Sequence, residues 1–144
     1  MKKDKIAILL PFKDHFTNSK AGSASIWVKD FNKKSIFKNQ MKIFGNTPDL
    51  NDLISKKKYV NLLVNDFGLG SKNVSYVNQF IKQYLKSRFK LIEIHNRPSY
   101  VHQILKNKIS TNLVLIFHNN PLTLGGSESL KEREYLLNHC DKLI

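Results

Sequence analysis

The sequence predicts an α/β fold in which a mainly parallel sheet lies between layers of helix. Three observations lead there. Short, uninterrupted apolar runs recur along the chain, as they do in strands buried on both faces. Between them lie stretches of about 10–15 residues whose apolar positions fall three and four apart, the period of an amphipathic helix. The chain has 144 residues, 41% hydrophobic and 24% charged, which is enough for one domain to build a core without disulfides or metals.

Lys5-Ile-Ala-Ile-Leu-Leu10 is the first apolar run, stopped by Pro11, and reads as a strand that opens the sheet. From Ser23 or Ser25 the residues Ile26, Trp27, Phe31 and, less regularly, Val28 predict an amphipathic helix to about Lys34, beginning after Gly22. The second strand is expected over Gln40 to Phe44, ended by Gly45. Asn46 to Lys58 is polar, contains Pro48 and suggests a short helix from Asp49, and Tyr59 to Val64 is a further apolar run. Val74, Val77, Ile81, Tyr84 and Leu85 form a helical stripe over Asn73 to Ser87, followed by a strand over Phe89 to Ile94. A helix carried by Val101, Ile104 and Leu105 starts at Pro98, which suits a first helical turn, and the strand Asn112 to Phe117 comes next. After a loop rich in Asn, Pro and Gly, Ser129 and Glu132 are spaced for a capping box. The helix they open is expected to turn Leu130, Tyr135, Leu136 and Leu137 inward. Lys142-Leu-Ile144 reads as the start of another buried strand, so residues 1–144 read as one domain of a longer protein. Strands alternating with helices build βαβ units, and such units give a Rossmann-like three-layer domain.

Several functional classes are excluded or disfavoured. Cys140 is the only cysteine, so neither an intrachain disulfide nor a multi-cysteine zinc site can form, and no metal or cofactor is expected. Ile6 to Leu10 is far shorter than the roughly 20 apolar residues of a membrane span. Lys2, Lys3 and Lys5 precede that run as in a secretory leader, but Pro11, Phe12, Lys13 and Asp14 follow it. A cytoplasmic location is therefore expected. The net charge of +13 suggests an anionic partner. Of the 24 basic residues, however, only Arg88, Arg97 and Arg133 are arginine, whose planar fork suits phosphate and base recognition, and the lysines are scattered. Solvated surface charge, with peripheral contact to anionic lipid, therefore ranks above nucleic acid; a non-enzymatic basic module is the alternative reading.

In a sheet of this kind ligands gather at the carboxyl ends of the strands. Three segments fall there. In the loop after the first strand, Gly22 permits close backbone approach, and the helix that follows offers unpaired N–H groups to a phosphate. No G-x-G-x-x-G or Walker A pattern follows this strand, and Gly68-Leu-Gly70 reads as a turn. The other two segments repeat one another: Ile92-Glu-Ile-His95-Asn-Arg-Pro98 and Leu115-Ile-Phe-His118-Asn-Asn-Pro121 each close an apolar run with His, Asn, one variable residue and Pro. If their strands are neighbours, two imidazoles stand side by side, suited to hydrogen bonding sugar hydroxyls or to moving a proton near neutral pH. His118 is the catalytic candidate, and Arg97 offers a fork for phosphate or carboxylate. His15, His102 and His139 look incidental.

At these residues the chain resembles the N-terminal domain of family-4 retaining glycosyltransferases of the GT-B fold, in particular bacterial enzymes of surface-polysaccharide assembly. The likeness rests on the Ile6 to Leu10 strand with Ala21-Gly22-Ser23-Ala24, on Glu93-Ile-His95-Asn-Arg97-Pro98, on Phe117-His118-Asn-Asn-Pro121-Leu, and on Glu132-Arg-Glu134 through Cys140-Asp-Lys-Leu-Ile144. The resemblance implies two Rossmann-like domains facing a cleft, with this one on the acceptor side and a C-terminal domain, outside this sequence, holding the nucleotide diphosphate. It implies a sugar nucleotide as donor and a glycan or lipid-linked acceptor. Gly22 and Ser23 would approach the donor phosphate or sugar, His118 would contact the transferred sugar, and His95, Asn96 and Arg97 would line the acceptor side. Asn119 and Asn120 complete the set of substrate-binding candidates. The paired glycine usual in the family's first loop stands here as Ala21-Gly22.

Overall fold

The computed structural model describes residues 5–64 and 70–144. Lys2 and Lys3 and, but for Gly70, the expected Gly68-Leu-Gly70 turn lie outside them. The described chain runs β1 (Ile6–Leu9), α1 (Ser23–Lys34), a 3-10 turn (Lys38–Gln40), β2 (Met41–Gly45), β3 (Tyr59–Asn61) and α2 (Lys72–Ser87). It continues through β4 (Leu91–His95), α3 (Pro98–Lys106), β5 (Asn112–Ile116), a second 3-10 turn (Pro121–Thr123), α4 (Leu130–His139) and β6 (Lys142–Leu143). All five strand pairings are parallel, in the order β3-β2-β1-β4-β5-β6. The sheet is thus the expected Rossmann-like α/β layer, and the order reverses between β1 and β4, which leaves a crevice at their carboxyl ends.

Alternation along the strands assigns each side chain to a face. Ala7 and Leu9 of β1, Ile92 and Ile94 of β4, and Leu113 and Leu115 of β5 share one core with Tyr76, Val77, Phe80 and Ile81 of α2 and Val101 and Ile104 of α3. Ile8 and Leu10 pack on the opposite face with Met41, Ile43, Phe16 and, from α1, Ala24 and Val28. Tyr76 is fully buried, and its hydroxyl donates to the Leu10 carbonyl at 2.8 Å, fastening α2 to the end of β1. A buried carbonyl left without such a donor costs about 1–3 kcal/mol.

Four expectations from the sequence are corrected. No helix forms after Asp49 among residues 46–58. Asp49 instead closes a local turn by accepting from the Asn51 N–H at 3.0 Å, and the segment is pinned to the β1–α1 loop where the Ile54 N–H donates to the Phe16 carbonyl at 3.1 Å. On α1 the buried positions are Ala24, Ser25 and Val28, whose small side chains let the helix approach the sheet, whereas Ile26 and Phe31 face solvent. On α2 the stripe is carried by Tyr76, Val77, Phe80, Ile81 and Tyr84, while Val74 and Leu85 are exposed. On α4 only Leu136 is buried; Leu130 and Leu137 are 65% and 66% exposed. Tyr135 is drawn aside into a stack with His102 and His139, at centroid separations of 4.9 and 4.0 Å. The capping box forms as its spacing implied, with Ser129 and Glu132 each bonding the other's backbone N–H. Lys142–Leu143 pairs with β5 as the sixth strand.

Candidate functional site

The two His-Asn-x-Pro segments end on neighbouring strands, because β4 and β5 pair with His95 opposite Ile116. His118, two residues beyond Ile116, keeps the same facing. The consequence is direct contact: His95 Nδ1 lies 2.9 Å from His118 Nε2, with the rings inclined by only 17°. His95 is fully buried, and its other nitrogen, Nε2, meets Glu93 Oε1 at 2.7 Å. Glu93 is itself 8% exposed and stands two residues earlier on β4, on the same face. A polar line therefore runs Glu93–His95–His118 from the sheet interior to its carboxyl edge.

The main chain around this line is held by Asn96. Its φ of +53° lies in the left-handed region, which asparagine tolerates better than bulkier residues. From there Oδ1 accepts the N–H of His118 at 3.3 Å and of Asn119 at 3.2 Å, while the Asn96 N–H donates to the Ile116 carbonyl at 2.7 Å. Asn120 caps the next turn by accepting from the Leu122 N–H. Asn96 and Asn120 thus act on the loop that carries His118.

Trp27 of α1 covers both imidazoles, its ring 5.2 Å from that of His95 and 6.2 Å from that of His118, and it stacks on Phe31 at 4.9 Å. Ser23, Ile26, Trp27, Asp30, Phe31, Lys34 and His118 line an open groove of about 590 Å³. Aromatic walls with a few converging polar groups are the usual make-up of a small-ligand site. Of the apolar residues of α1 that the spacing suggested as a core stripe, Val28 is in the core, whereas Ile26, Trp27 and Phe31 line this groove.

Gly22 has a specific steric reason. A Cβ built there would lie 2.6 Å from the Asp14 carboxyl group. Asp14 needs that space because its carboxylate accepts from the Ala24 N–H at 3.1 Å and the Ser25 N–H at 3.3 Å, the first turn of α1. Two of the N–H groups expected to be open to a phosphate, those of Ala24 and Ser25, are therefore paired within the chain: a carboxylate already complements the positive end of the helix. Ser23 remains on the groove rim.

Arg97 is not brought to His118. Its Nη1 donates to the Asn96 carbonyl at 2.9 Å, and it lines a second groove of about 530 Å³ with Ser71, Tyr100, His102 and Lys106. His102 is tied by Nε2 to the Gly126 carbonyl at 2.8 Å, and Gly126 (φ +97°) packs on the Ser99 backbone, where a Cβ would come within 2.5 Å of the nitrogen. Burial pushes the Cys140 thiol up to about 11, far from a reactive thiolate. Among the described residues no group of three or more His, Cys, Asp or Glu is placed to hold a metal ion, and no helix is long and apolar enough to cross a membrane.

Glu93, Asp14 and Trp27 are the residues that the reading of motifs passed over. The signal for Glu93 was present, since a carboxylate two residues before a histidine inside a doubly buried strand needs a partner. Asp14 carried no comparable signal, because its capping target lies ten residues away across an irregular loop.

No family model matches the chain, and none of the curated proteins compared with it matches. Among solved structures it is similar to a sucrose-phosphate synthase from Thermosynechococcus elongatus, with a TM-score of 0.63 and 12% sequence identity over 96% of this chain and 41% of that one. The chain thus spans about two fifths of that neighbour's length. At this identity the likeness is one of fold. It supports the Rossmann-like α/β fold and does not reach family 4 or any polysaccharide class.

His118 should titrate below the ordinary histidine value of 6.5, because burial and then the neighbouring His95 disfavour its charged form, against a smaller opposing pull from Asp14 and Glu93. An unfolded chain then binds this proton more readily than the folded one. The stability contribution is fully present above about pH 6.5 and is lost as the pH falls toward the folded-state value. Histidine NMR titration, read beside melting temperatures from pH 8 to about 5, should show His118 as a late-protonating ring and a falling melting temperature that weakens in His118→Gln.

Proposed function

We propose that this chain is the acceptor-side domain of a metal-independent retaining glycosyltransferase that moves a sugar from a sugar nucleotide to a glycan or lipid-linked acceptor, of the kind used in polysaccharide assembly. The observation that carries this reading is the groove at the carboxyl edge, where Trp27 and Phe31 offer aromatic faces beside the His118 imidazole. A pyranose presents the matching surfaces, an apolar ring face and a rim of hydroxyls. The likeness in fold to a sucrose-phosphate synthase adds to the reading. The repeated His-Asn-x-Pro strand ends supply the same two imidazoles from the sequence side.

In this reading His118 binds and orients the transferred sugar, Ser23 bonds a hydroxyl or phosphate oxygen at the rim, and Asn96, Asn119 and Asn120 keep the His118 loop in place. A C-terminal domain would hold the nucleotide diphosphate and stabilise the charge that leaves with it. This half supplies position and hydrogen bonds that strengthen as the sugar becomes electron-poor. The described chain alone should then turn over no sugar nucleotide. Arg97 falls outside this groove, so an acceptor reaching it would have to extend toward α3.

Peripheral membrane contact fits the same assignment. Ile36 is 87% exposed and Phe37 is exposed beside it, flanked by Lys33, Lys34 and Lys38. Exposed apolar residues between lysines suit an anionic lipid surface, to which each basic residue contributes about 1 kcal/mol.

Two measurements follow. In the full-length enzyme, His118→Ala should lower kcat by roughly 10² or more if the imidazole contacts the reacting sugar; wild-type turnover per folded molecule would remove His118 from the site. The chain should also float with anionic vesicles at low salt and be released at high salt, more readily in Ile36→Ser/Phe37→Ser. Flotation indifferent to salt and to those substitutions would remove the lipid contact.

A further inference from the structure

Glu93 and His95 line neither of the two grooves described above, yet they form a buried polar pair at the middle and the carboxyl end of a central strand, where apolar residues pack without such demands. Their chemistry is directional. A carboxylate oxygen only accepts, so the 2.7 Å contact requires a proton on His95 Nε2. In the neutral ring, that leaves His95 Nδ1 as an acceptor, and its 2.9 Å partner, His118 Nε2, must donate. The remaining ring nitrogen of His118, Nδ1, then carries a lone pair.

We propose that Glu93 and His95 are positioning residues that lock His118 in its Nε2–H tautomer, so that it presents Nδ1 to the groove as a hydrogen-bond acceptor for a ligand hydroxyl. The hydrogen-bonded line stands on the geometry alone, and its use on a sugar hydroxyl rests on the function proposed above. Burial and the neighbouring His95 favour a neutral His118 ring, against a smaller opposing pull from Asp14 and Glu93. Glu93 and His95 come from β4, Asp14 from the loop after β1, and Asp30 and Lys34 from α1 along the groove. Protonating the pair would reverse the line: His95 Nδ1 would donate to His118 Nε2, and His118 would offer Nδ1–H instead. The groove would then favour an anionic oxygen over a hydroxyl.

The test uses the 144-residue chain labelled with ¹⁵N at histidine. Long-range ¹H–¹⁵N spectra near about pH 7.5, well above the ordinary histidine range, should show His118 with a protonated Nε2 and a bare Nδ1, and His95 with a protonated Nε2. In Glu93→Leu the acceptor for His95 is gone, and the His118 ring nitrogens should move toward tautomer-averaged positions while the backbone amide spectrum stays folded. A proton on His118 Nδ1 in the wild type would overturn the proposal. So would His118 ring nitrogens that are unchanged in Glu93→Leu, the behaviour of a carboxylate with a purely structural role. If that variant does not fold, the wild-type spectrum still decides. A chain with the expected tautomers that binds no sugar would keep the positioning line and count against the glycosyl-transfer reading.

Discussion

Glu93 and His95 occupy successive positions on one face of β4, beside Ile8 of β1 and beneath Trp27 of α1, where an all-apolar strand would have been cheaper to bury. Each is tolerable there because the other satisfies it, and the second nitrogen of His95 finds its partner only if His118 follows β5 at the right register. That requirement ties three things together: the β4–β5 pairing, the conformation of the Asn96 turn, and the placing of the one imidazole that reaches the groove. Breaking the line would strand a buried carboxylate or imidazole, and truncating one partner of such a pair typically costs about 3–5 kcal/mol. The polar line is thus both a constraint on the fold and the means by which the fold aims His118.

The helix that covers this line is set by a second constraint. Asp14 caps α1 from ten residues away, and Gly22 gives it the room. With the cap in place, Ala24 and Val28 face the sheet and Ile26, Trp27 and Phe31 are turned toward the His118 edge. The same helix therefore closes one core and floors the groove, and a carboxylate of the chain occupies the place at its N-terminus where a ligand phosphate could otherwise sit.

Much of the fold was legible because parallel strands buried on both faces read as plain apolar runs, and Ile6–Leu9, Met41–Gly45, Leu91–His95 and Asn112–Ile116 stand where those runs stand. Less legible was which face of each helix turns inward. Tyr76 and Phe80 fill the core although the simpler stripe ran through Val74 and Leu85, because Tyr76, Val77, Phe80, Ile81 and Tyr84 share one face of the helix and Val74 and Leu85 lie beyond its margin. Leu130 and Leu137 stay in water because α4 touches the core through Leu136 alone. The pairing of His95 with His118 was legible from their repeated contexts. The place of Arg97 was not, since one residue after a left-handed Asn96 the chain turns toward α3 and carries the guanidinium away.

Whether the groove beside Trp27 and His118 is the sugar-binding face can be read by backbone chemical-shift mapping. With a panel of sugar nucleotides and oligosaccharides at millimolar concentration, saturable shifts should gather at Ser23, Trp27, Asn96, His118 and Asn119 and be diminished in Trp27→Ala. Shifts gathered instead around Arg97, His102 and Lys106, or a groove that stays silent while sugar binds elsewhere, would contradict that assignment.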